Sequence, residues 1–260
     1  MPEDEVRIAT FSRWLEDASA QRTEPWRFGT ALFDDAFPNK WDANFLRVER
    51  PVGEATASEL AAEADRRCAH LEHREFIFAD DAEGARLAAA FVDIGYTSDR
   101  LVNMVLHREA DRSGPPGGEE ATFEDVSGLL MTITAQGFPN LSTPQAQMLV
   151  DHDRALAERV GARFFWSRVD GVPAGCCQLF EHDGVAQVEN VSTLEEFRNR
   201  GLARSFVGAA IDAAHAGGAD LVFLVADDAD WPKHLYGKLG FDEVSHFRQF
   251  TRPPAGSTVH

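Results

Sequence analysis

The chain has 260 residues, 44% hydrophobic and 26% charged, enough to bury one large core or two modest ones and unlike a disordered or fibrous chain. Its 43 acids against 25 Lys and Arg give a formal net charge of −18, shared equally by the halves on either side of residue 112, and such a surface repels phosphate backbones and anionic lipid. Nucleic-acid and membrane partners are thereby disfavoured, and any anionic ligand needs a local concentration of positive charge.

Taken in chain order, the opening is rich in aromatic residues (Trp14, Trp26, Phe28, Phe33, Phe37, Trp41, Phe45) with no basic stripe beside them, which reads as core or interdomain packing rather than a stacking platform. A candidate central strand follows at Asn44 to Arg50. The pattern then predicts a helix over Ala57 to His70, a strand over Glu75 to Ala79 and a helix over Gly84 to Ile94. Gly95-Tyr96 precedes a last strand through Leu106. The stretch Ser113 to Glu120, all glycine, proline, serine and glutamate, reads as a linker, so the expected domains are 1–112 and 121–260 joined by 113–120.

In the second half, Phe123 to Thr134 and Pro144 to Val160 suit amphipathic helices. Ala162 to Val169, Gly175 to Glu181 and Val185 to Leu194 suit strands, with Asp170-Gly171 and Asp183-Gly184 as hairpin turns. Leu202 to His215 reads as a helix, Leu221 to Ala226 as a buried strand, Trp231 to Lys238 as a short helix, and Gly240-Phe241 opens a final strand through Phe250. Three cysteines, Cys68, Cys176 and Cys177, cannot form a disulfide framework. The acidic opening Met1 to Glu5 lacks the features of a signal peptide and the apolar runs are far short of a membrane span, so a cytoplasmic protein is expected.

Between the strand ending near Leu194 and the helix from Leu202 lies Arg198-Asn199-Arg200-Gly201-Leu202-Ala203-Arg204. Glycine allows close backbone approach, and the free N–H groups of a helix start point together toward an anion. Arg198, Arg200 and Arg204 supply the local positive charge that an acidic chain requires. Downstream comes Leu235-Tyr236-Gly237-Lys238-Leu239-Gly240-Phe241. At this separation the two segments resemble the GNAT superfamily of acyl-coenzyme A N-acyltransferases, most clearly over residues 185–250 and less so back to 121. The resemblance implies acetyl-coenzyme A, or another short acyl-coenzyme A, as co-substrate and no metal. Its pyrophosphate would sit on the amides from Arg198 to Arg204 and its pantetheine along Val191, Ser192 and Thr193. The fold implied is α+β with a mixed α/β sheet, here as tandem GNAT-like domains, each a mostly antiparallel sheet flanked by helices.

Under that resemblance Tyr236 corresponds to the tyrosine that protonates the departing thiolate, and the N–H of Val191 would polarise the thioester carbonyl. A general base is expected at Glu189 or Asn190, one of which must face the cleft because side chains alternate. Glu189 is the candidate, since apolar neighbours can raise a carboxylate's pKa. Asp227, Asp228 and Asp230 either hold a cationic amine or cap the helix at Trp231. Where relatives carry an asparagine seven residues before the tyrosine, this chain has Ala229. His182, His234 and His246 lack metal-ligand spacing, and Cys176-Cys177 in an apolar strand reads as packing.

The first half carries a shadow of the pattern. Aligning Gly95-Tyr96 on Gly240-Phe241 sets an offset of 145 residues, at which helix, strand, helix and Gly-aromatic recur in order. Tyr236 then corresponds to Phe91, and the arginine-rich loop to Pro51 to Thr56, with Glu54 in place of an arginine run. This half is either a degenerate copy without cofactor or an unrelated α+β domain. The expected partner is a small amine acceptor, in a monomer or homodimer. Two functions stand: an N-acetyltransferase working by direct attack in a ternary complex, or a catalytically silent acyl-coenzyme A binding protein.

Overall fold

In the computed structural model, which describes residues 3–254, helix α1 (Glu3–Ser19) is followed by the hairpin β1 (Arg22–Trp26) and β2 (Gly29–Phe33), and then by β3 (Phe45–Val48). Met1 and Pro2 of the acidic opening lie outside the described residues. Next come α2 (Ala57–Arg67), β4 (Arg74–Phe78), α3 (Asp81–Asp93), β5 (Asp99–Leu106) and β6 (Gly118–Ala121). The remaining elements are α4 (Phe123–Gly137), α5 (Thr143–Val160), β7 (Arg163–Val169), β8 (Val172–His182), β9 (Val185–Thr193), α6 (Leu202–Ala216), β10 (Leu221–Asp227), α7 (Pro232–Lys238) and β11 (Phe241–Arg252). The two Asp-Gly pairs close their hairpins as predicted, with φ of 52° and 81° at Asp170 and Gly171 and 46° and 77° at Asp183 and Gly184. α1, the β1–β2 hairpin and β6 have no counterpart in the sequence-based expectation.

The chain divides into two compact units. The N unit holds Glu16–Val102, Asp227–Asp230 and residues 245–254. The C unit holds residues 3–15, Asn103–Ala226 and Trp231–Val244. This corrects the expected boundaries at 112 and 120. The segment 113–120 is no free linker: Gly118–Ala121 is a strand paired antiparallel with β7, with Glu120 opposite Phe165. Gly114 and Gly118 serve close packing, since a Cβ at Gly114 would come within 2.6 Å of the Ser205 nitrogen and one at Gly118 within 2.2 Å of the Ser205 oxygen.

In the N unit the strands run β1-β2-β3-β4-β11, the last contributing Arg248–Arg252 opposite Phe78–Arg74. Leu46 to Val48 pair in parallel with Phe76 to Phe78, with α2 as the crossover. Phe33, Phe76, Phe78, Phe91 and Phe250 are fully buried in its core, each such ring contributing roughly 2–3 kcal/mol. In the C unit the order β10-β9-β8-β7-β6 contains one parallel pair, Val185 to Val188 against Leu221 to Leu224, with α6 as the crossover. Its core gathers Val126, Val150 and Phe164 on α4, α5 and β7, and Ile8, Phe11 and Phe223 nearer α1. Both units thus carry strand, helix, parallel strand, helix, and the two crossover helices start at Ala57 and Leu202, the offset read from the sequence.

Candidate active site

The site in the C unit begins where two parallel strands part. β9 and β10 are paired only as far as Val188 and Leu224, yet β9 runs on to Thr193 and β10 to Asp227. β9 also carries one extra residue relative to β8: Glu189 stands opposite Gln178 and Ser192 opposite Cys176, so Asn190 and Val191 together face Cys177. Asn190 takes a left-handed φ of 53° at this bulge. A bulge removes one residue from the ladder and re-aims the backbone, and here it does so in the stretch expected to meet a thioester.

The bulge corrects the alternation argument for Glu189 and Asn190. Cross-strand partners share a face, so Glu189 lies with Gln178 and, two residues along, Cys176, which packs against Val126 of α4 and Val150 of α5. Glu189 is half-buried there, and its carboxylate accepts a hydrogen bond from the Gln187 side-chain amide. Asn190 is exposed and donates to Gln178 Oε1 at 3.1 Å, while Gln178 Nε2 donates to Asp153 Oδ1 on α5 at 2.8 Å. Both residues are therefore engaged, Glu189 within its own strand and Asn190 in a chain of amides that ties the bulge to α5. Gln178, Gln187 and Asp153 had no signal in the sequence, because their partners are set by strand register and helix packing.

After β9 the chain makes a short 3-10 turn over Glu195–Phe197, anchored to the end of α4 where the Glu195 N–H donates to Gln136 Oε1 at 3.1 Å. Asn199 and Gly201 are both left-handed, with φ of 64° and 78°, and α6 starts with Gly201 as its N-cap and no side-chain cap. The Arg204 N–H turns back to the Gly201 carbonyl at 3.1 Å. Among the described residues, the backbone N–H groups of Asn199, Arg200, Gly201, Leu202 and Ala203 donate no hydrogen bond. Five consecutive amides at the positive end of a helix can take an anionic group without further side chains.

The three arginines do not act alike. Arg198 and Arg200 are exposed and brace their own loop, Arg198 Nε to the Thr193 carbonyl at 3.2 Å and Arg200 Nη2 to the Glu196 carbonyl at 3.1 Å. Arg204, expected beside them, is instead buried, and its Nη1 is paired with Asp111 Oδ1 at 2.6 Å. Arg204 belongs to the first turn of α6 whereas 198 and 200 lie in the loop before it, and the buried guanidinium needs the carboxylate that Asp111 supplies.

Tyr236 is buried on α7, its ring edge-on to Phe241 with centroids 6.5 Å apart. The aspartates at and after the end of β10, expected either to hold a cationic amine or to cap α7, are not free carboxylates. They belong to the N unit, where Asp228 is paired with Arg100 at 2.7 Å and Asp227 Oδ1 accepts the Ala229 N–H at 2.8 Å. Nor does an aspartate cap α7, whose N-cap is Trp231 without a side-chain hydrogen bond. His182 stacks on Trp14 at 3.9 Å. Burial pushes the Cys176 thiol up to about 12 and the Cys177 thiol well above its usual value, so both stay protonated.

Residues 130–241 match the family model of the GNAT acetyltransferases. Among solved structures, a functionally unknown conserved protein from Staphylococcus epidermidis superposes with a TM-score of 0.69 at 15% identity, covering 90% of this chain and 94% of that one. A GCN5-related N-acetyltransferase from Kribbella flavida gives 0.62 at 20% identity, covering 96% and 95%. A tandem GNAT protein from the clavulanic acid biosynthesis pathway gives 0.53 at 14% identity, covering 94% and 89%. At these identities the likeness is one of fold. No curated protein matches the sequence.

Proposed function

We propose that the protein, whose residues 130–241 match the family model of the GNAT acetyltransferases, transfers an acetyl group from acetyl-coenzyme A to the amine of a small cationic molecule in the cytoplasm. The observation that carries this reading is the start of α6, where five amides from Asn199 to Ala203 stand without partners among the described residues behind two left-handed positions. The bound co-substrate supplies a thioester carbon open to attack. The amides of 199–203 hold the pyrophosphate, and Val191, Ser192 and Thr193 follow the pantetheine where β9 has left β10. The Val191 N–H, re-aimed by the bulge, donates to the thioester oxygen as negative charge gathers there. Glu189 takes a proton from the acceptor's ammonium, directly or through water, so that a neutral amine attacks, and Tyr236 gives a proton to the leaving thiolate. The amide chain from Asp153 to Asn190 holds the bulge in place.

The N unit lacks these provisions. At its equivalent loop the Val52 N–H already donates to Glu83 Oε1 at 2.9 Å, and the start of α2 is closed by a capping box between Thr56 and Glu59. These carboxylates occupy the place an anion would take, which supports a copy that binds no cofactor.

A silent acyl-coenzyme A binder is the second reading, favoured by Ala229, which offers no side-chain amide and whose N–H is taken by Asp227. The test is to follow free thiol from acetyl-coenzyme A with a panel of polyamines, aminosugars and aryl amines. Amine-dependent release is expected, with Tyr236→Phe losing turnover at least tenfold while keeping its affinity for coenzyme A. Tight binding with no thiol release for any amine would favour the silent reading, and no binding would overturn both.

A further inference from the structure

The residues that lead from β10 into α7, Asp227–Asp230, are grouped with the N unit, while the strand before them and the helix after them belong to the C unit. They carry the chain into the helix of Tyr236, which starts without a side-chain cap. Arg100, in the part of β5 that belongs to the N unit, grips this loop twice. Its carbonyl accepts the Asp228 N–H at 3.0 Å, and its Nη1 donates to Asp228 Oδ2 at 2.7 Å. The same guanidinium also reaches α3, where Nε and Nη2 donate to Asp81 Oδ2 at 3.0 and 2.9 Å. Asp81 Oδ1 in turn lies 2.8 Å from Arg248 Nε of β11. Gly84 leaves room for that arginine to cross α3, since a Cβ there would come within 2.9 Å of the Arg248 stem. Arg100, Asp81, Gly84, Asp228 and Arg248 all lie within the N unit.

A single ion pair near the surface adds little, but a guanidinium whose fork joins two carboxylates, and whose own carbonyl takes an N–H of the loop, has few other rotamers open to it. A loop held through both main chain and side chain fixes where the next helix begins. We propose that Arg100 is a positioning residue for the acyl transfer: by holding Asp228 it sets the start of α7, and with it the distance from the Tyr236 hydroxyl to the leaving thiolate. This inference rests on the reading of Tyr236 as the proton donor. Proton transfer needs hydrogen-bond distance, and a displacement of about 1 Å costs a large factor in rate. The N unit, whose own loop is closed by carboxylates, thereby takes part in the reaction through the residues it lends to the approach of α7.

Steady-state kinetics of the full chain, with acetyl-coenzyme A and the fastest acceptor among polyamines, aminosugars and aryl amines, test the role, beside calorimetric titration with coenzyme A. Arg100→Gln is expected to lower kcat about tenfold while KM for acetyl-coenzyme A, affinity for coenzyme A and melting temperature stay nearly unchanged. Asp228→Asn, which removes the same pair from the side of the loop, is expected to lose as much. In a Tyr236→Phe background Arg100→Gln should cost less than about twofold more, because the two residues act through one proton transfer. Full turnover by Arg100→Gln, losses at 100 and 236 that multiply, or a melting temperature that falls in step with kcat would overturn the proposal. If Tyr236→Phe keeps full turnover, or the wild type releases no thiol with any amine, the reading of the site falls instead, and this role with it.

Discussion

Glu75 shows how much one side chain can weigh on this protein. It lies on β4 at 1% exposure, with Thr251 Oγ1 donating to its Oε2 at 3.2 Å, while Oε1 is buried without a partner. Desolvation, seconded by Asp42, pushes its carboxyl up to about 8. Below pH 4.5 the folded and unfolded chains both carry the proton. Between pH 4.5 and 8 the unfolded chain ionises while the folded one holds on, so stability falls as pH rises, and above 8 the loss is complete. Glu75→Gln is expected to remove a penalty on the order of 3–5 kcal/mol at pH 8.5 and almost none at pH 4. Urea denaturation of both proteins across that range checks it, and equal pH profiles would mean that Glu75 ionises freely inside the fold. By contrast, solvent screens the exposed pair Arg198 and Glu195, which adds little to stability.

At the scale of elements, the two crossover helices make the useful comparison. α2 and α6 begin at equivalent positions, yet Thr56 and Glu59 satisfy the first turn of α2, whereas Gly201 leaves that of α6 open. Thr56→Ala should therefore destabilise the protein by about 1 kcal/mol, seen as a lower denaturation midpoint, without altering coenzyme A affinity. What the sequence showed of this contrast was Glu54 in place of an arginine run, while the capping box of Thr56 and Glu59 that closes α2 was not read from it. Legible too were the Asp-Gly hairpins and most of the second half, where period and turn chemistry agree. Glu189 was placed by alternation, and alternation fails at a bulge, which no sequence signal marked. Arg204 looked like its neighbours 198 and 200 because spacing does not reveal which face of a helix is buried. The roles of Asp227 and Asp228 depended on Ala229 and Arg100, the second of them more than a hundred residues away.

At the scale of the whole molecule, the expected cut at residue 112 separates neither unit from the other half of the chain. The N unit takes Arg248–Arg252 of β11 as the antiparallel neighbour of β4, and Phe250 stacks on Phe91 at 4.4 Å within its core. The C unit takes α1 as far as Leu15 and β5 from Asn103, with Ile8, Phe11 and Val105 buried in one cluster. A fragment 1–112 would expose the edge of β4 and the socket of Phe250, and a fragment 113–260 would lose three buried side chains. Each is expected to be insoluble when expressed alone, and co-expression should restore a soluble complex. A monomeric, cooperatively melting 1–112 would show that the units are more self-sufficient than their shared strands imply.

The placement of β11 also bears on how the protein is made. The ribosome releases Arg248–Arg252, the antiparallel partner of β4, only after β6 to β10 of the C unit, so the N unit, though begun earlier, waits for the C unit to emerge before it can complete its sheet. A product that stops short of Arg248 leaves the earlier-made unit unfinished, and cellular proteolysis would remove a chain that had already paired most of its other strands.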